Sequence, residues 1–256
     1  MVKIVLSGCN GKMGQSIAKI VQSRSDCEIS AGVDINPVQK NDFEVYAQFG
    51  KIAPQNCDVI IDFSNPAALD DILDYALKNN TPCVLCSTGY YPEQLQKIKD
   101  AAAAIPVFQS GNMSLGINLL IELAKKAALA LHDTFDIEII EKHHNQKIDA
   151  PSGTAVMLGD EISSVLPQEP QYVYDRHSYR KSRSKSEIGF HSVRGGTIVG
   201  EHDVIFAGND EIVTLSHSAG SKEVFAVGAV NAAVFLKDKP AGLYDMKELL
   251  KEKLDI

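Results

Sequence analysis

Short apolar runs alternate with amphipathic segments as far as Asn112. Residues 14–23 and 92–104 have the apolar spacing of helices, and Ser64-Asn65-Pro66 predicts another helix start, with Asn65 or Ser64 as its cap. Nearly continuous apolar strands separated by helices are typical of a parallel sheet covered on both faces. We therefore predict a doubly wound α/β domain. Its strands are VKIVLS (2–7), CEISAGVD (27–34), CDVIIDFS (57–64), PCVLCST (82–88) and IPVFQSGN (105–112).

The pattern changes after Asn112. It predicts a helix at about 115–131, the strand FDIEIIEKH (135–143), a helix near 154–165 and a polar, turn-rich passage at 167–186. The runs IGFHSVRGG, TIVGEHDVIFAG and EIVTLSHS then follow without a helix between them, which predicts antiparallel strands. KEVFAVGAVNAAVFL (222–236) is apolar on nearly every side and predicts a buried helix. We expect a second, α+β domain built on a mostly antiparallel open sheet, and a C-terminal helix that packs on the first domain.

Composition narrows the possible functions. The chain has 256 residues, of which 45% are hydrophobic and 23% are charged, as in ordinary globular proteins. A net charge of −8 argues against a general binder of nucleic acid or of acidic membranes. No apolar run reaches the roughly 18 residues of a membrane span, and MVKIVLSG is too short for a signal peptide. We expect a cytoplasmic protein with no nucleic-acid or membrane partner.

The 5 cysteines raise the question of a redox or metal site. Cys83 and Cys86 form a C-x-x-C, which could be a redox or zinc pair. Their odd separation would put the two thiols on opposite faces of a strand, and no second C-x-x-C follows. We therefore predict buried, reduced thiols and no metal.

GCNGKMG, from Gly8 to Gly14, joins the first predicted strand to a helix. Glycines there permit positive φ and let the backbone approach a pyrophosphate at the helix N-terminus. The spacing G-x-x-G-x-x-G is also compatible with a tight strand–helix turn that binds nothing. Asp34, at the end of the next strand, favours a dinucleotide site, because a carboxylate there can accept hydrogen bonds from a ribose.

The same carboxylate bears on the choice between NADH and NADPH. Asp34 would repel a 2′-phosphate, and the next residue is Ile35, where arginine would favour that phosphate. Lys12, inside the glycine loop, could offset the repulsion. The sequence favours NADH, with NADPH tolerated.

Two small polar clusters end further strands of the predicted parallel sheet. They are STG (87–89) and SGNMS (110–114). In an open α/β sheet the carboxyl ends of the strands face the ligand crevice, so both clusters could contact a ligand. They could equally be simple turns.

EKHHNQKIDAPSGTA (141–155) is unusually polar. His143 and Lys147 would share a face if the segment were helical, and a helix start follows, with Ser152 or Thr154 near the cap. Helix N-terminal amides with an ammonium and imidazoles could bind a small carboxylate and supply a proton. A solvated loop and a metal site are the alternatives, although H-x-x-x-H and H-E-x-x-H are absent.

Two other segments have two interpretations each. RHSYRKSRSK (176–185) could bind phosphate or RNA, or it could be a solvated loop, which its polar setting favours. VRGGTIVGEH (193–202) has the glycines and the alternation of a hairpin, in which Arg194 and Gly195-Gly196 could rim a site or only make the turn.

Taken together, several of these motifs resemble the 4-hydroxy-tetrahydrodipicolinate reductase (dihydrodipicolinate reductase) family. They are GCNGKMG, STG, GNMSLGINLL, EKHHNQKIDAPSGTA, SVRGGTIVGEH and GLYDMKELL. The resemblance implies a Rossmann domain, 1–113 rejoined by 223–256, and a substrate-binding and oligomerisation domain, 114–222. It also implies a homotetramer built through the substrate-domain sheets. The implied reaction is hydride transfer from NADH or NADPH to C4 of 4-hydroxy-tetrahydrodipicolinate, a cyclic dicarboxylate, in the diaminopimelate route to lysine.

The resemblance also implies roles for individual residues. His143 becomes the acid/base residue and Lys147 the proton donor, while His144, Ser152, Gly153 and Thr154 become substrate contacts. The dinucleotide would contact Gly8, Cys9, Asn10, Gly11, Lys12, Met13, Asp34, Cys86, Ser87, Thr88, Ser110, Gly111, Asn112 and Met113. The chain departs from the family pattern at Cys86-Ser87, where Gly-Thr is usual, and at Asp34-Ile35, where an acidic residue and Arg are often found.

Two other functions share parts of this pattern. An amino-acid dehydrogenase would have the glycine loop but would not need HH-x-x-K beside S-G-T. A non-catalytic redox or metabolite sensor would bind a dinucleotide without turning over a cyclic imine.

Overall fold

The computed structural model describes residues 1–254. The chain forms two compact units, Met1–Leu115 with the segment from Glu223 onward, and Gly116–Lys222. The helices are α1 Lys12–Gln22, α2 Leu69–Asn79, α3 Pro92–Ala102, α4 Leu115–Leu131, α5 Gly153–Ser163, α6 Glu223–Leu236 and α7 Met246–Leu254. The strands are β1 Val2–Ser7, β2 Cys27–Val33, β3 Val45–Tyr46, β4 Val59–Asp62, β5 Cys83–Leu85, β6 Pro106–Gln109, β7 Asp136–His143, β8 Gln171–Val173, β9 Glu187–Arg194, β10 Gly200–Ala207, β11 Ile212–Ala219 and β12 Gly242–Tyr244.

The first unit is built on a parallel sheet. Within the described residues the sheet has 7 strands in the order β12-β6-β5-β4-β1-β2-β3, and every pairing is parallel. The predicted doubly wound α/β architecture is therefore confirmed. β3 and β12, of 2 and 3 residues, are not predicted by the hydrophobic pattern, because such short edge strands carry no periodicity.

Each face of this sheet has its own apolar core. Ile4 and Leu6 of β1 pack with residues of α1, α6 and α7, whereas Val5 packs on the opposite side with residues of α2 and α3. The helix α6, which is apolar on nearly every side, is part of the core that contains Ile4 and Leu6. Its Gly228 is required by close packing, since a Cβ there would lie 1.7 Å from the carbonyl oxygen of Met113.

The second unit is a mixed sheet covered by helices on one face. Among the residues described, the sheet has 5 strands in the order β11-β10-β7-β9-β8. β10 runs antiparallel to β11 and β7, but β7–β9 and β8–β9 are parallel, so the expected mostly antiparallel sheet is mixed instead. The apolar side chains of α4 and α5 pack on one face, against residues such as Ile139 and Phe206.

The hairpin expected at residues 193–202 does not form. β9 and β10 run in opposite directions but do not pair, because β7 lies between them. Strands that are two apart in a sheet are separated by about 10 Å, and the residues between Arg194 and Gly200 are enough to cross the end of β7 at that distance. The consequence is that this connection lies against the last residue of β7, with the Gly195 amide donating to the His143 carbonyl at 2.9 Å.

The basic segment 176–185 is a largely exposed loop, as its polar setting predicted, but two of its arginines are anchored to the sheet. Arg183 Nε donates to Glu138 Oε1 at 2.8 Å, and Arg176 donates to the same oxygen at 2.9 Å and to Glu187 at 2.7 Å. Periodicity cannot reveal these partners, because they lie on β7 and β9. The two guanidinium groups thereby tie the connector to the sheet.

The length of the helices and the state of the cysteines both test predictions made from the sequence. In the part of the chain that the structure describes, no helix has both the length and the apolarity that a membrane crossing demands. All five cysteines lie in this part and are buried and unbridged, as predicted. Burial raises the pKa of the Cys83 thiol to about 12, so the C-x-x-C has no reactive thiolate.

Candidate active site

The glycine loop of the first unit is shaped by close backbone contacts. Gly8 has φ +76°, and a Cβ there would lie 2.7 Å from the Phe63 carbonyl oxygen. A Cβ on Gly14 would lie 2.3 Å from the Gly8 carbonyl oxygen. These two positions therefore need glycine for steric reasons, and the loop brings its backbone amides to the start of α1.

Asp34 closes this loop from the next strand. Its Oδ2 accepts the Asn10 amide at 3.0 Å, and its Oδ1 accepts the Asn36 amide at 3.0 Å. The Asn10 side chain in turn donates to the carbonyls of Asn36 and Val38, at 2.7 and 2.9 Å. The carboxylate therefore clamps the glycine loop to the segment after β2, and each of its oxygens keeps a second lone pair for a ligand.

A cavity of about 420 Å³ lies at the carboxyl ends of β1, β2 and β4, and its lining includes Gly8, Asn10, Gly11 and Asp34. This volume lies in the range of small-molecule and cofactor sites, ~300–1,000 Å³. Asn10 Oδ1 is buried without a hydrogen-bond partner within the described chain. The donors, the acceptors and the space fit the adenosine half of a dinucleotide.

The cation beside this cavity differs from the one that the sequence suggests. Lys12 is exposed on the first turn of α1. Lys40 lines the cavity with Asp34, and its Nζ donates to the Asn10 carbonyl at 3.3 Å. The sequence gives no signal for Lys40, because it lies in a loop without periodicity.

Two further clusters lie at the ends of β5 and β6. The Ser87 hydroxyl donates to Asp62 Oδ2 at 2.7 Å, and the Ser64 amide donates to Asp62 Oδ1 at 3.1 Å. The Ser110 hydroxyl donates to the Asn112 carbonyl at 3.0 Å. Asp62 is fully buried and was missed in the sequence, although a carboxylate ending an apolar strand was a usable signal.

Several of the predicted dinucleotide contacts have side chains that face the core. Cys9, Cys86 and Met113 are buried in the apolar core of the first unit, and burial raises the pKa of the Cys9 thiol to about 11. Asn112 is also buried, whereas Gly111 and Thr88 are exposed. The buried positions can offer a cofactor backbone groups only.

In the second unit, the segment after β7 is a turn and not a helix. His143 is the last residue of β7, and the Lys147 amide donates to the His144 carbonyl at 3.1 Å. The condition under which His143 and Lys147 would share a helical face is therefore not met, because pairing with β9 holds the chain extended through His143, as the strand predicted at 135–143 requires. Lys147 Nζ instead lies 2.8 Å from Asp149 Oδ1, and this hydrogen bond lowers the pKa of Asp149.

The helix α5 begins at the predicted place. Ser152 is its cap, since its hydroxyl accepts the Ala155 amide at 3.1 Å. Ser152 is buried, Thr154 is half-buried, and Gly153 is exposed at the first turn. An anion at this end of α5 would be favoured by the helix dipole.

A buried carboxylate, Glu141, joins His143 to this helix. Glu141 Oε2 lies 2.6 Å from His143 Nδ1, and Glu141 Oε1 accepts the Ser152 amide at 3.1 Å. Arg194 donates to both oxygens, at 2.7 and 2.8 Å. Burial acts to raise the pKa of Glu141, but hydrogen bonds from Arg194, Ser192 and His143 outweigh it and lower the pKa to about 2.

His202 completes the cluster. Its Nε2 lies 3.0 Å from the Ser152 hydroxyl, and its ring centroid is 5.3 Å from that of His143. Burial, followed by the neighbouring His143, lowers the pKa of His202 to about 4, so this imidazole is neutral near pH 7. Sequence reasoning missed Glu141 and His202, and it left Arg194 between a site and a turn.

The signal for Glu141 was the alternation along β7. Ile137, Ile139, Glu141 and His143 are the buried positions of this strand. A glutamate in such a row has to be paired, so it is a candidate site residue. Across residues 1–254, no three His, Cys, Asp or Glu side chains are grouped as metal ligands.

The parallel sheet, the glycine loop and the acidic residue after β2 define a dinucleotide-binding oxidoreductase of the Rossmann type with a second, α+β unit. Family models described as "Dihydrodipicolinate reductase, N-terminus" and "Dihydrodipicolinate reductase, C-terminus" match residues 2–113 and 116–250. The chain belongs to the dihydrodipicolinate reductase family, as its motifs predicted.

Individual relatives agree with this assignment. A protein of Caldanaerobacter subterraneus subsp. tengcongensis named 4-hydroxy-tetrahydrodipicolinate reductase is 50% identical over 98% of this chain and 99% of its own length. One of the same name from Clostridium tetani is 48% identical over 98% of this chain and 97% of its own. A solved structure, dipicolinate-bound dihydrodipicolinate reductase from Paenisporosarcina sp. TG-14, has a TM-score of 0.80 at 26% identity, covering 96% of this chain and 97% of that one.

Proposed function

We propose that this protein is an NAD(P)H-dependent 4-hydroxy-tetrahydrodipicolinate reductase of the diaminopimelate pathway to lysine. The observation that carries the proposal is the cluster in the second unit. There a proton-carrying imidazole, an ammonium and the N-terminus of α5 lie in one segment of the chain, and a buried carboxylate links the imidazole to the helix. Membership of the reductase family supports the same activity.

The substrate carboxylates call for cations and amide donors. The amides at Gly153 and Thr154 belong to the first turn of α5, where a carboxylate is stabilised by hydrogen bonds and by the helix dipole. His144 is half-buried beside this segment and would supply a further donor. The family structure from Paenisporosarcina, which holds the cyclic dicarboxylate dipicolinate, supports a ligand of this shape.

The chain's own chemical task is protonation. When bound, the reduced nicotinamide supplies the hydride for C4 of the dehydrated ring. The neighbouring C3 then needs a proton, which Lys147 donates while His143 acts as the acid/base residue. The ammonium of Lys147 is oriented by Asp149, and the imidazole of His143 is oriented by Glu141. A positioned proton donor of this kind contributes ~10²–10⁴-fold to a rate.

The dinucleotide would be held by the first unit. The glycine loop offers backbone amides to the pyrophosphate, and Asp34 offers lone pairs to the adenosine ribose. Ser87 and the segment 110–113, at the ends of β5 and β6, would contact the nicotinamide half. Asp34 favours NADH, and Lys40 beside it makes NADPH acceptable, so we propose that both are used.

Two further properties are part of the proposal. A homotetramer would assemble through the face of the second sheet that α4 and α5 leave bare, where Ile140 and Ile205 are partly exposed and Val193 is 46% exposed. Light scattering after size exclusion tests the assembly. A cytoplasmic location is supported by the buried, unbridged cysteines among the described residues, which suit a reducing compartment.

A coupled assay tests the activity. A dihydrodipicolinate synthase would generate the unstable cyclic substrate in place, and absorbance would follow the oxidation of NADH and NADPH separately. We expect oxidation that depends on the synthase. A folded protein that binds the dinucleotide but oxidises neither cofactor would favour a sensor or an amino-acid dehydrogenase instead.

A further inference from the structure

We propose that Glu141, held by Arg194, is the positioning residue that sets the tautomer of His143 and locks this imidazole to the N-terminus of α5. The inference rests on the proposed function, because it assigns the origin of the proton geometry that the reductase needs. The inference states which ring nitrogen of His143 carries the hydrogen, and this property can be measured without turnover.

The first step concerns the charge of Glu141. The residue is 1% exposed, and a buried carboxylate is strongly unfavourable unless it is paired. Arg194 supplies a two-pronged hydrogen bond to both oxygens, and the Ser152 amide supplies another to Oε1. Glu141 is therefore ionised at neutral pH and can only accept hydrogen bonds.

The second step follows for His143. Because Glu141 Oε2 accepts, the Nδ1 that lies 2.6 Å away has to carry the hydrogen. The neutral imidazole then keeps its lone pair on Nε2, and the imidazolium presents an N–H there. Only Nε2 is thus left to exchange a proton with a ligand.

The surroundings of the His143 ring are consistent with this assignment. A Cβ on Gly200 would lie 3.1 Å from His143 Nε2, so a side chain at this position would crowd that atom. His202, on the next strand, packs edge to face against the His143 ring and is neutral near pH 7. It therefore confines the ring without adding charge.

Arg194 has a second effect on the same cluster. Besides Glu141, its Nη2 donates to the carbonyl of Asp149 at 2.6 Å. Asp149 is the ion-pair partner of Lys147. The Glu141–Arg194 pair consequently joins the end of β7, the turn that carries Lys147 and the N-terminus of α5 into one rigid arrangement.

Glu141→Gln is the direct test, and Glu138→Gln is its matched control. Glu138 lies on the same strand and also has arginine and histidine partners, Arg183 at 2.8 Å and His191 at 2.7 Å. In the coupled assay we expect Glu141→Gln to lower kcat about 10²-fold, with a smaller change in KM. The pH profile should shift to lower pH, because His143 loses its anionic partner.

The control fixes what the result means. Glu138→Gln should keep kcat within about twofold and leave the pH profile in place. Glu141→Asp, which keeps the charge, should recover part of the lost rate and restore the profile. A Glu141→Gln enzyme with the kcat and pH profile of the parent would overturn the proposal.

A spectroscopic measurement separates this inference from the proposed function and from a failure to fold. Magic-angle-spinning ¹⁵N spectra of histidine-labelled parent protein report the tautomer, and a His143→Gln spectrum identifies the resonance. We expect neutral His143 to be protonated on Nδ1. The Nε2-protonated form would refute the positioning role even if the reductase activity were present. The Nδ1-protonated form in a protein that fails the coupled assay would refute only the activity.

Discussion

The two candidate sites of this chain are built by different means. The glycine loop of the first unit requires residues without side chains, since there is no space for a Cβ at Gly8 or Gly14. Its carboxylate, Asp34, binds backbone amides. The site at the end of β7 depends on buried side chains, with Glu141 binding a guanidinium and an imidazole.

This difference separates general from specific recognition. A loop of backbone amides suits any dinucleotide, so its sequence indicates a class of protein. A cluster of buried ionisable side chains suits one arrangement of charge, so its sequence indicates a substrate. The second site should accordingly respond to pH and to changes of side chain, and the first to changes of backbone.

The largest effect should come from Lys147→Ala. Loss of the proton donor should lower kcat by ~10²–10⁴-fold, while NADH affinity is kept because Lys147 belongs to the other unit. Lys142→Ala is the matched control, since Lys142 pairs with Glu201 at 3.1 Å and Asp203 at 3.4 Å on β10 and should leave kcat unchanged. Coupled kinetics and calorimetric NADH titrations measure both. A Lys147→Ala protein that no longer binds NADH would contradict the assignment of the two sites to different units.

The next effect concerns acid stability and the charge of Glu141. Its pKa falls from an ordinary 4.5 to about 2 in the folded protein, so its contribution is complete above about pH 4.5 and is lost as pH falls towards 2. That shift corresponds to roughly 3 kcal/mol. The gap in unfolding free energy between the parent and Glu141→Gln should therefore narrow between pH 5 and pH 3 in urea titrations. A gap that stays constant would show that the carboxylate is not stabilised in its charged form.

Sequence patterns anticipated most of this fold and part of its sites. Buried strands, α5 and its cap and the glycine loop have local signatures, and all of these were predicted. The mixed sheet was not predicted. β7 lies between β9 and β10 because of tertiary packing, and the local hydrophobic periodicity carries no information about strand order. The ion pairs of Arg183 were not predicted for the same reason, since its partners lie on β7.

The candidate site was predictable where residues are adjacent in the chain. His143, Lys147 and Ser152 share one segment, so their motif was visible. Arg194 and His202 reach the same cluster only through strand pairing with β7. β7 runs through His143, as the predicted strand 135–143 indicated, so the spacing of four between His143 and Lys147 does not put them on one helical face.

A smaller effect is expected from Gly14→Ala in the first unit. The new Cβ would meet the Gly8 carbonyl oxygen at 2.3 Å, so the loop must move, which typically lowers stability by ~1–3 kcal/mol. Gly50→Ala is the control, because nothing lies within 4 Å of its Cβ position. Thermal unfolding and NADH titration should separate the two variants. Equal behaviour would mean that close packing is not what requires glycine in the loop.

The smallest effect is a change of cofactor preference in Asp34→Ala. Removing the carboxylate frees the Asn10 and Asn36 amides, so both cofactors should bind less well. NADH also loses its ribose acceptor, whereas NADPH is relieved of a repulsive charge, so the NADH/NADPH ratio of kcat/KM should fall about tenfold, or ~1.4 kcal/mol. Lys40→Ala should move the ratio the other way, because its ammonium lines the same cavity. If Asp34→Ala lowers the affinity for both cofactors equally, Asp34 only holds the glycine loop in place and does not bind the ribose.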